Sequence, residues 1–333
     1  MLILQCNDLY FKWLETVLIS LYSFGNRFPM FISIYKGTSE MRDRCHEIYP
    51  NCIVELDCDN RYELPVDQHK VSDCMAVRKG YVLSYVCDFY NPEWVLMLDV
   101  DVLCRKNLND LIQSFLLNQH KIVVINSNIN TNYTDDFFAV EDTNIYRFFN
   151  SSFVFLNRDV FHFAHQWDFL MRHLDFSIGF EPMIWFWDQI CLYFAIGTYY
   201  GEEPIHMIPR RLVLDESFGE DSYLWASTGG DKDLVYDFFV KYSSTMDVDL
   251  ADAERFMNCF FERAMHWGAF QFASHIVNRD PSHKRALFML ALIYFEKLKN
   301  YDLAKKMFQA LKDVQYNVNE CNIYLNKIDE LTN

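Results

Sequence analysis

The run Trp94-Val95-Leu96-Met97-Leu98, followed by Asp99-Val100-Asp101 and then Val102-Leu103, constrains the fold more than any other part of this chain. A continuous apolar run is the pattern of a strand buried on both faces, as in a parallel sheet packed between helices. Open sheets of that kind bind ligands outside the carboxyl ends of their strands. The run therefore predicts two carboxylates delivered to a crevice. Hard divalent cations prefer oxygen ligands and often carry substrate phosphates with them. Asp99 and Asp101 are thus candidate ligands for Mn²⁺ or Mg²⁺. A strand-end turn with solvated aspartates is the plainer alternative.

Three further Asp-x-Asp triplets lack that context. Asp231 and Asp233 follow Gly229-Gly230 and read as loop, while Asp247 and Asp249 precede a helix that they can cap. Asp57 and Asp59 follow an apolar segment but run straight into Asn60-Arg61. The charge balance narrows the function. With 30 basic and 46 acidic residues the formal charge is -16, the opposite of a nucleic-acid binder's basic footprint. Ten cysteines occur with no Cys-x-x-Cys pair, so a structural zinc site is not expected, and reduced thiols in a cytoplasmic protein are the simple reading. No stretch has the length of a transmembrane helix or the form of a signal peptide.

Strand-like and helix-like patterns alternate over the first 240 residues. Strands are expected at 2–6, 30–35, 52–56, 94–98 and 121–126, and helices at 10–23, 40–49, 72–89 and 108–117. This order predicts an α/β fold, a mainly parallel Rossmann-like sheet with helices on both faces. A short strand at 153–156, a helix at 160–173, an aromatic-rich segment at 183–196 and a possible strand at 211–214 follow. The polar stretch 215–233 reads as surface loops.

Residues 248–333 read as helical, which sets them off as a second, α-helical hairpin domain from a first domain of 1–245. Two near-repeats there resemble tetratricopeptide units of 34 residues. Ala269 and Pro281 fit one unit. Leu287, Leu290, Ala291 and Tyr294, then Ala304, Phe308 and Leu311 after one inserted residue, fit the next, which begins near Lys284.

In the first 240 residues several motifs together resemble glycosyltransferases of the GT-A fold, of the family-8 type that includes glycogenin and bacterial galactosyltransferases. The segment Cys6-Asn7-Asp8-Leu9-Tyr10 is similar to the family's first strand end, where an aspartate and an aromatic ring hold the base. Asp8 can equally cap the helix that follows. Arg78 and Lys79 stand where the family has a basic residue near the donor phosphates or sugar, and an exposed helix face would account for them too. Asp99 and Asp101 match the metal-binding triplet, and Asn150-Ser151-Ser152 resembles the turn beside the donor sugar, with Ser152 in place of glycine. Asp188-Gln189 matches the pair beside the reacting carbon. Asp188 would orient the sugar or act as a base, and Gln189 would face the anomeric carbon; both can instead cap or cross-link a buried helix. The closing motif, His-x-x-Gly-x-x-Lys, is met by Gly229 and Lys232, but Ala226 stands in the position of the metal-binding histidine. His206 is a conceivable replacement.

The resemblance implies a metal-dependent hexosyltransferase that uses a nucleotide-sugar donor, UDP-linked, with retention, and a glycan, protein or other acceptor. The C-terminal helices would recruit a protein partner or mediate dimerisation. The alternative is a degenerate transferase serving as a nucleotide- or peptide-binding scaffold. A nucleotidyltransferase ranks below both, because the first 30 residues hold only Gly25 where a glycine-rich phosphate loop is needed.

Overall fold

The computed structural model describes residues 1–56, 78–126, 149–173, 187–199, 205–209, 213–215, 222–226, 248–262, 264 and 266–332. The chain divides into two compact units, residues 1–22 with 26–228, and residues 23–25 with 229–333.

The first unit is built on a seven-stranded sheet. Its strands are β1 (Leu2–Asn7), β2 (Met30–Tyr35), β3 (Cys52–Leu56), β4 (Trp94–Leu98), β6 (Ile122–Asn126), β7 (Phe149–Asn157) and β8 (Ile205–Pro209). They lie in the order β3-β2-β1-β4-β7-β6-β8. All run in one direction except β7, which is antiparallel to both β4 and β6. The α/β architecture expected from the sequence is therefore present, and the apolar run 94–98 is a central strand. Successive strands step outward from β1 through β2 to β3, and β4 then returns to the other side of β1. That reversal is the switch point at which such sheets open a crevice beyond their strand ends.

Both faces of the sheet are covered. On one, Ile3, Val95, Met97, Val124 and Val154 pack with Val82 and Val86 of α3 (Lys79–Tyr90), Phe163 and Trp167 of α5 (His162–His173) and Ile190 of α6 (Trp187–Tyr199). On the other, Phe153 and Phe155 meet Phe115 of α4 (Asn109–Leu117) at centroid distances of 6.3 and 5.2 Å. Residues from one strand serve both faces because strand side chains alternate. The helices α1 (Phe11–Ser23) and α2 (Ser39–Ile48) occupy the expected segments. The expected start of α3 at 72 and of a strand at 211 lie outside the described residues, but Leu214–Asp215 forms β9.

Two features were less visible in the sequence. Strand β7 begins four residues before the expected 153, because its polar inner end, Asn150-Ser151-Ser152, breaks the apolar pattern. The stretch expected as loops contains β10 (Leu224–Ala226), which pairs antiparallel with β5 (Val102–Cys104) and parallel with β9 in a small second sheet. Leu224 and Trp225 are buried there; two apolar residues are too few to show a period.

The second unit contains α7 (Leu250–Glu262), α8 (His266–Arg279), α9 (Lys284–Glu296), α10 (Tyr301–Asp313) and α11 (Val318–Thr332), each packed on the next. Leu250, Lys284 and Val318 open alternate helices at an interval of 34 residues. The side chains of Asp249, His283 and Asn300 accept from Asp252, Ala286 and Leu303 N–H groups and so cap α7, α9 and α10. Ala291, Ala304, Phe308, Leu311, Leu325 and Ile328 form the core of this unit. No helix among the described residues is long and apolar enough to cross a membrane.

The placement of α3 depends on Gly80. A Cβ there would lie 2.8 Å from the Asp168 backbone and from Met171 Sδ of α5. Backbone cannot retreat as a flexible side-chain end can, so Gly80→Ala should cost about 1–3 kcal/mol, the usual penalty of overpacking. A denaturant midpoint equal to that of the parent protein would show that the two helices do not approach this closely in solution.

Candidate active site

The carboxyl ends of the parallel strands deliver Asn7 and Asp8 from β1, Tyr35 from β2 and Asp99 from β4 to one rim. Because β7 is reversed, its first residues, 149–152, reach the same rim. Leu98 is level with Phe153, so Asp99 faces Ser152; the Asp99 N–H donates to the Ser152 carbonyl at 3.2 Å. Ser152 returns its hydroxyl to Asp99 Oδ2 at 2.6 Å.

Lys79, the first residue of α3, joins this rim to α6. Its ammonium lies 2.6 Å from Asp99 Oδ1 and 2.6 Å from Asp188 Oδ2, and it donates to Ser151 Oγ at 3.0 Å. Those three acceptors match the three N–H bonds of an ammonium. Ser151 in turn donates to Asp188 Oδ2 at 2.5 Å, and the Gln189 N–H donates to Asp188 Oδ1 at 2.9 Å. The Lys79 and Asp188 side chains are 8% and 3% exposed, so both charges are out of water, whereas Asp99 at 24% still reaches the surface. Burial alone would lower the Lys79 pKa, but the charges of Asp188 and Asp99 outweigh it and hold the ammonium above its ordinary value. Two tryptophans fix the start of α6. Trp167 Nε1 donates to the Asp188 carbonyl at 3.1 Å, and Trp187 Nε1 donates to the Met171 carbonyl at 3.2 Å.

Asp8 and Tyr10 lie at the exposed end of β1. Helix capping there belongs to Asn7, whose Oδ1 accepts from the Tyr10 N–H at 3.1 Å, and not to Asp8. Cys6 is 1% exposed inside β1 and its thiol pKa is pushed far up by burial and by the Asp8 charge, so it serves the core and offers no side chain to a ligand. Arg78 lies with its guanidinium 4.0 Å from the Tyr35 ring centroid, buried beside the β2 end, not on an exposed helix face. Asn150 is largely buried and its Oδ1 accepts from the Ser152 N–H at 2.7 Å. Asp101 is half-buried just beyond Asp99. Gly229 and Lys232 lie outside the described residues.

Ser151 and Ser152 are the residues the sequence reading missed as participants. Their signal was present in the Asn-Ser-Ser motif, but nothing in the sequence assigned their hydroxyls to Asp188 and Asp99. Asp99 and Asp101 are the residues that would hold a hard divalent cation, since magnesium sites need only one or two carboxylates when substrate phosphates complete them. Among the described residues no group of three or more His, Cys, Asp or Glu gathers to hold a metal. The backbone of Ala226 stands opposite Val102 in the β10–β5 pair, one residue beyond Asp101. His206 does not replace an imidazole there. It pairs with Val123 near the start of β8, several strands from β4, and stacks on His120 at 3.8 Å.

No family model matches the sequence, and no curated protein matches it. The solved structures to which the chain is similar include glycosyltransferases. An active-site mutant of LgtC is 12% identical over 74% of this chain and 96% of its own, with a TM-score of 0.45. The bifunctional glycosyltransferase WbbM is 10% identical over 76% of this chain and 51% of its own, at 0.48. Mouse xyloside xylosyltransferase 1 is 11% identical over 68% and 96%, at 0.40. Likeness at this level speaks to neither substrate nor chemistry.

The stacked histidines carry a pH dependence. Burial and the neighbouring His120 lower the His206 pKa. The folded state therefore favours neutral His206, and this contribution is present above the unfolded value and lost as pH falls through the lowered folded one. Between about pH 7 and about pH 5 the melting temperature should fall, and His206→Phe, which keeps a ring without a charge, should flatten part of that fall. Identical pH profiles for the two proteins would remove the stack as a cause.

Proposed function

We propose that this chain is a glycosyltransferase that moves a sugar from a nucleotide diphosphate donor, UDP-linked, to a glycan, protein or other acceptor. The observation that carries this reading is the meeting of Asp99 and Asp188 at one rim of the sheet, beside the switch point between β1 and β4. A nucleotide extended along that rim would start at Asp8 and Tyr10, where a carboxylate can accept the imide proton of uracil and a ring can stack on the base. Its diphosphate would fall toward Arg78, Asp99 and Asp101, and its sugar toward Asn150, Asp188 and Gln189. Mn²⁺ or Mg²⁺ held by Asp99 and Asp101 would neutralise the phosphates and stabilise the charge on the departing nucleotide.

The contacts of Asp188 favour one of its two candidate roles. Both of its oxygens already accept hydrogen bonds, from Lys79, Ser151 and the Gln189 N–H. A carboxylate with both oxygens so engaged suits orienting a sugar hydroxyl better than taking a proton, because proton transfer would need one of those bonds to give way. Gln189 would face the anomeric carbon, in keeping with retention. Gly229 and Lys232 stay in the reading as phosphate contacts on the resemblance alone. The 34-residue interval among the C-terminal helices supports a tetratricopeptide-like region, which would recruit a protein or glycan acceptor or a second copy of the chain.

A second reading, a degenerate transferase that binds nucleotide or peptide without turnover, is favoured by Ala226 beside the acidic pair. Calorimetry separates the two: metal-dependent UDP binding supports the enzyme, and no binding at millimolar nucleotide supports the scaffold. For the enzyme, Asp99→Asn and Asp101→Asn should each lower donor hydrolysis by about a hundredfold or more with the fold retained. Full activity in both variants would end the assignment of the acidic pair.

A further inference from the structure

The basic side chain that touches Asp99 is already fully engaged within the protein. Lys79 uses its three N–H bonds on Asp99, Asp188 and Ser151. It is buried, and it starts a helix whose approach to α5 is set by Gly80. Asp99 and Asp188 lie far apart in the first unit's sequence, one just after β4 and one on α6. Two ionised carboxylates cannot hydrogen-bond to each other directly, and two that share one ammonium repel. The ammonium bridges the two side chains and offsets that repulsion.

We infer that Lys79 is a positioning residue: an internal cation that sets Asp99 and Asp188 at a fixed separation, with Ser151 and Ser152 completing the cradle, and that makes no contact with the donor. The inference rests on the proposed transferase reading for its kinetic consequence and on geometry alone for its structural one. Its cost is a buried charge triad, which is a poor source of stability compared with apolar packing. Its return is geometric. Errors of about 1 Å in the placement of reacting groups can cost on the order of a hundredfold in rate. Asp99 borders the diphosphate and Asp188 borders the sugar in the proposed pose. A rigid tie between them fixes the two halves of the donor relative to the bond that breaks.

The inference differs in its consequences from a phosphate-binding lysine. Lys79→Arg keeps a cation with different geometry, and Lys79→Met removes it. By calorimetry with UDP and Mn²⁺, Lys79→Arg should bind nucleotide within about threefold of the parent. Its kcat for donor hydrolysis should fall by about a hundredfold, with little change in KM. Loss of nucleotide affinity by tenfold or more in a folded Lys79→Arg would overturn the inference, because it would place the cation on the phosphates. So would an unchanged kcat.

Stability supplies a test that needs no substrate. Lys79→Met should lower the melting temperature, because two carboxylates are left without their cation. Adding Asp188→Asn to Lys79→Met should restore part of the loss, since the double variant removes the unpaired buried charge. Additive losses in that cycle would show that the two groups do not interact, and would overturn the inference. Absence of UDP binding to the parent protein would defeat the transferase reading while leaving this cycle to decide the structural claim.

Discussion

One ammonium group held between two carboxylates organises the first unit of this protein. Lys79, Asp99 and Asp188 belong to a helix start, a strand end and another helix start, and each of these elements is fixed to the sheet by its own apolar packing. Bringing such charges out of water is unfavourable unless every one is paired and hydrogen-bonded. Pairing is complete here because the serines of β7 and the N–H of Gln189 fill the acceptor sites that Lys79 leaves. The helices must therefore arrive at one place within tenths of an ångström. Gly80 against α5, and the indole N–H groups of Trp167 and Trp187, are the local devices that bring them there.

The parts of the fold that declared themselves in the sequence were those with a strong period. The run 94–98 could be placed as a central strand because a strand covered on both faces has no polar side to interrupt it. Asp99 and Asp101 at its end followed from the same pattern. The 34-residue interval of the C-terminal helices was visible for a related reason: small residues such as Ala269, Ala291 and Ala304 recur where helices cross closely, and all three are fully buried.

What the sequence concealed was long-range pairing. Nothing at Lys79 announces Asp188, because an ion pair leaves no periodicity and its partners lie far apart along the chain. Ser151 and Ser152 look like any polar turn until the register of β4 with β7 sets one of them against Asp99. Two roles were open for Asp8, and a one-residue shift removes the capping one, since Asn7 caps the following helix and leaves Asp8 at the surface. Cys6 was grouped with the strand end by adjacency alone, although β1 is a central strand buried along its whole length.

The reversal of β7 has a geometric consequence of its own. In a fully parallel sheet each strand contributes its last residues to the working edge, and the segment leading into it comes from the far side. Here the chain leaves that edge at the end of β6 and re-enters the sheet at the same edge at the start of β7. Asn126 and Phe149, the points of exit and re-entry, are therefore paired neighbours at that edge. One reversed strand thus adds a chain entry to a rim that otherwise receives only strand exits, and this entry is what carries Ser151 and Ser152 to Asp188 and Asp99.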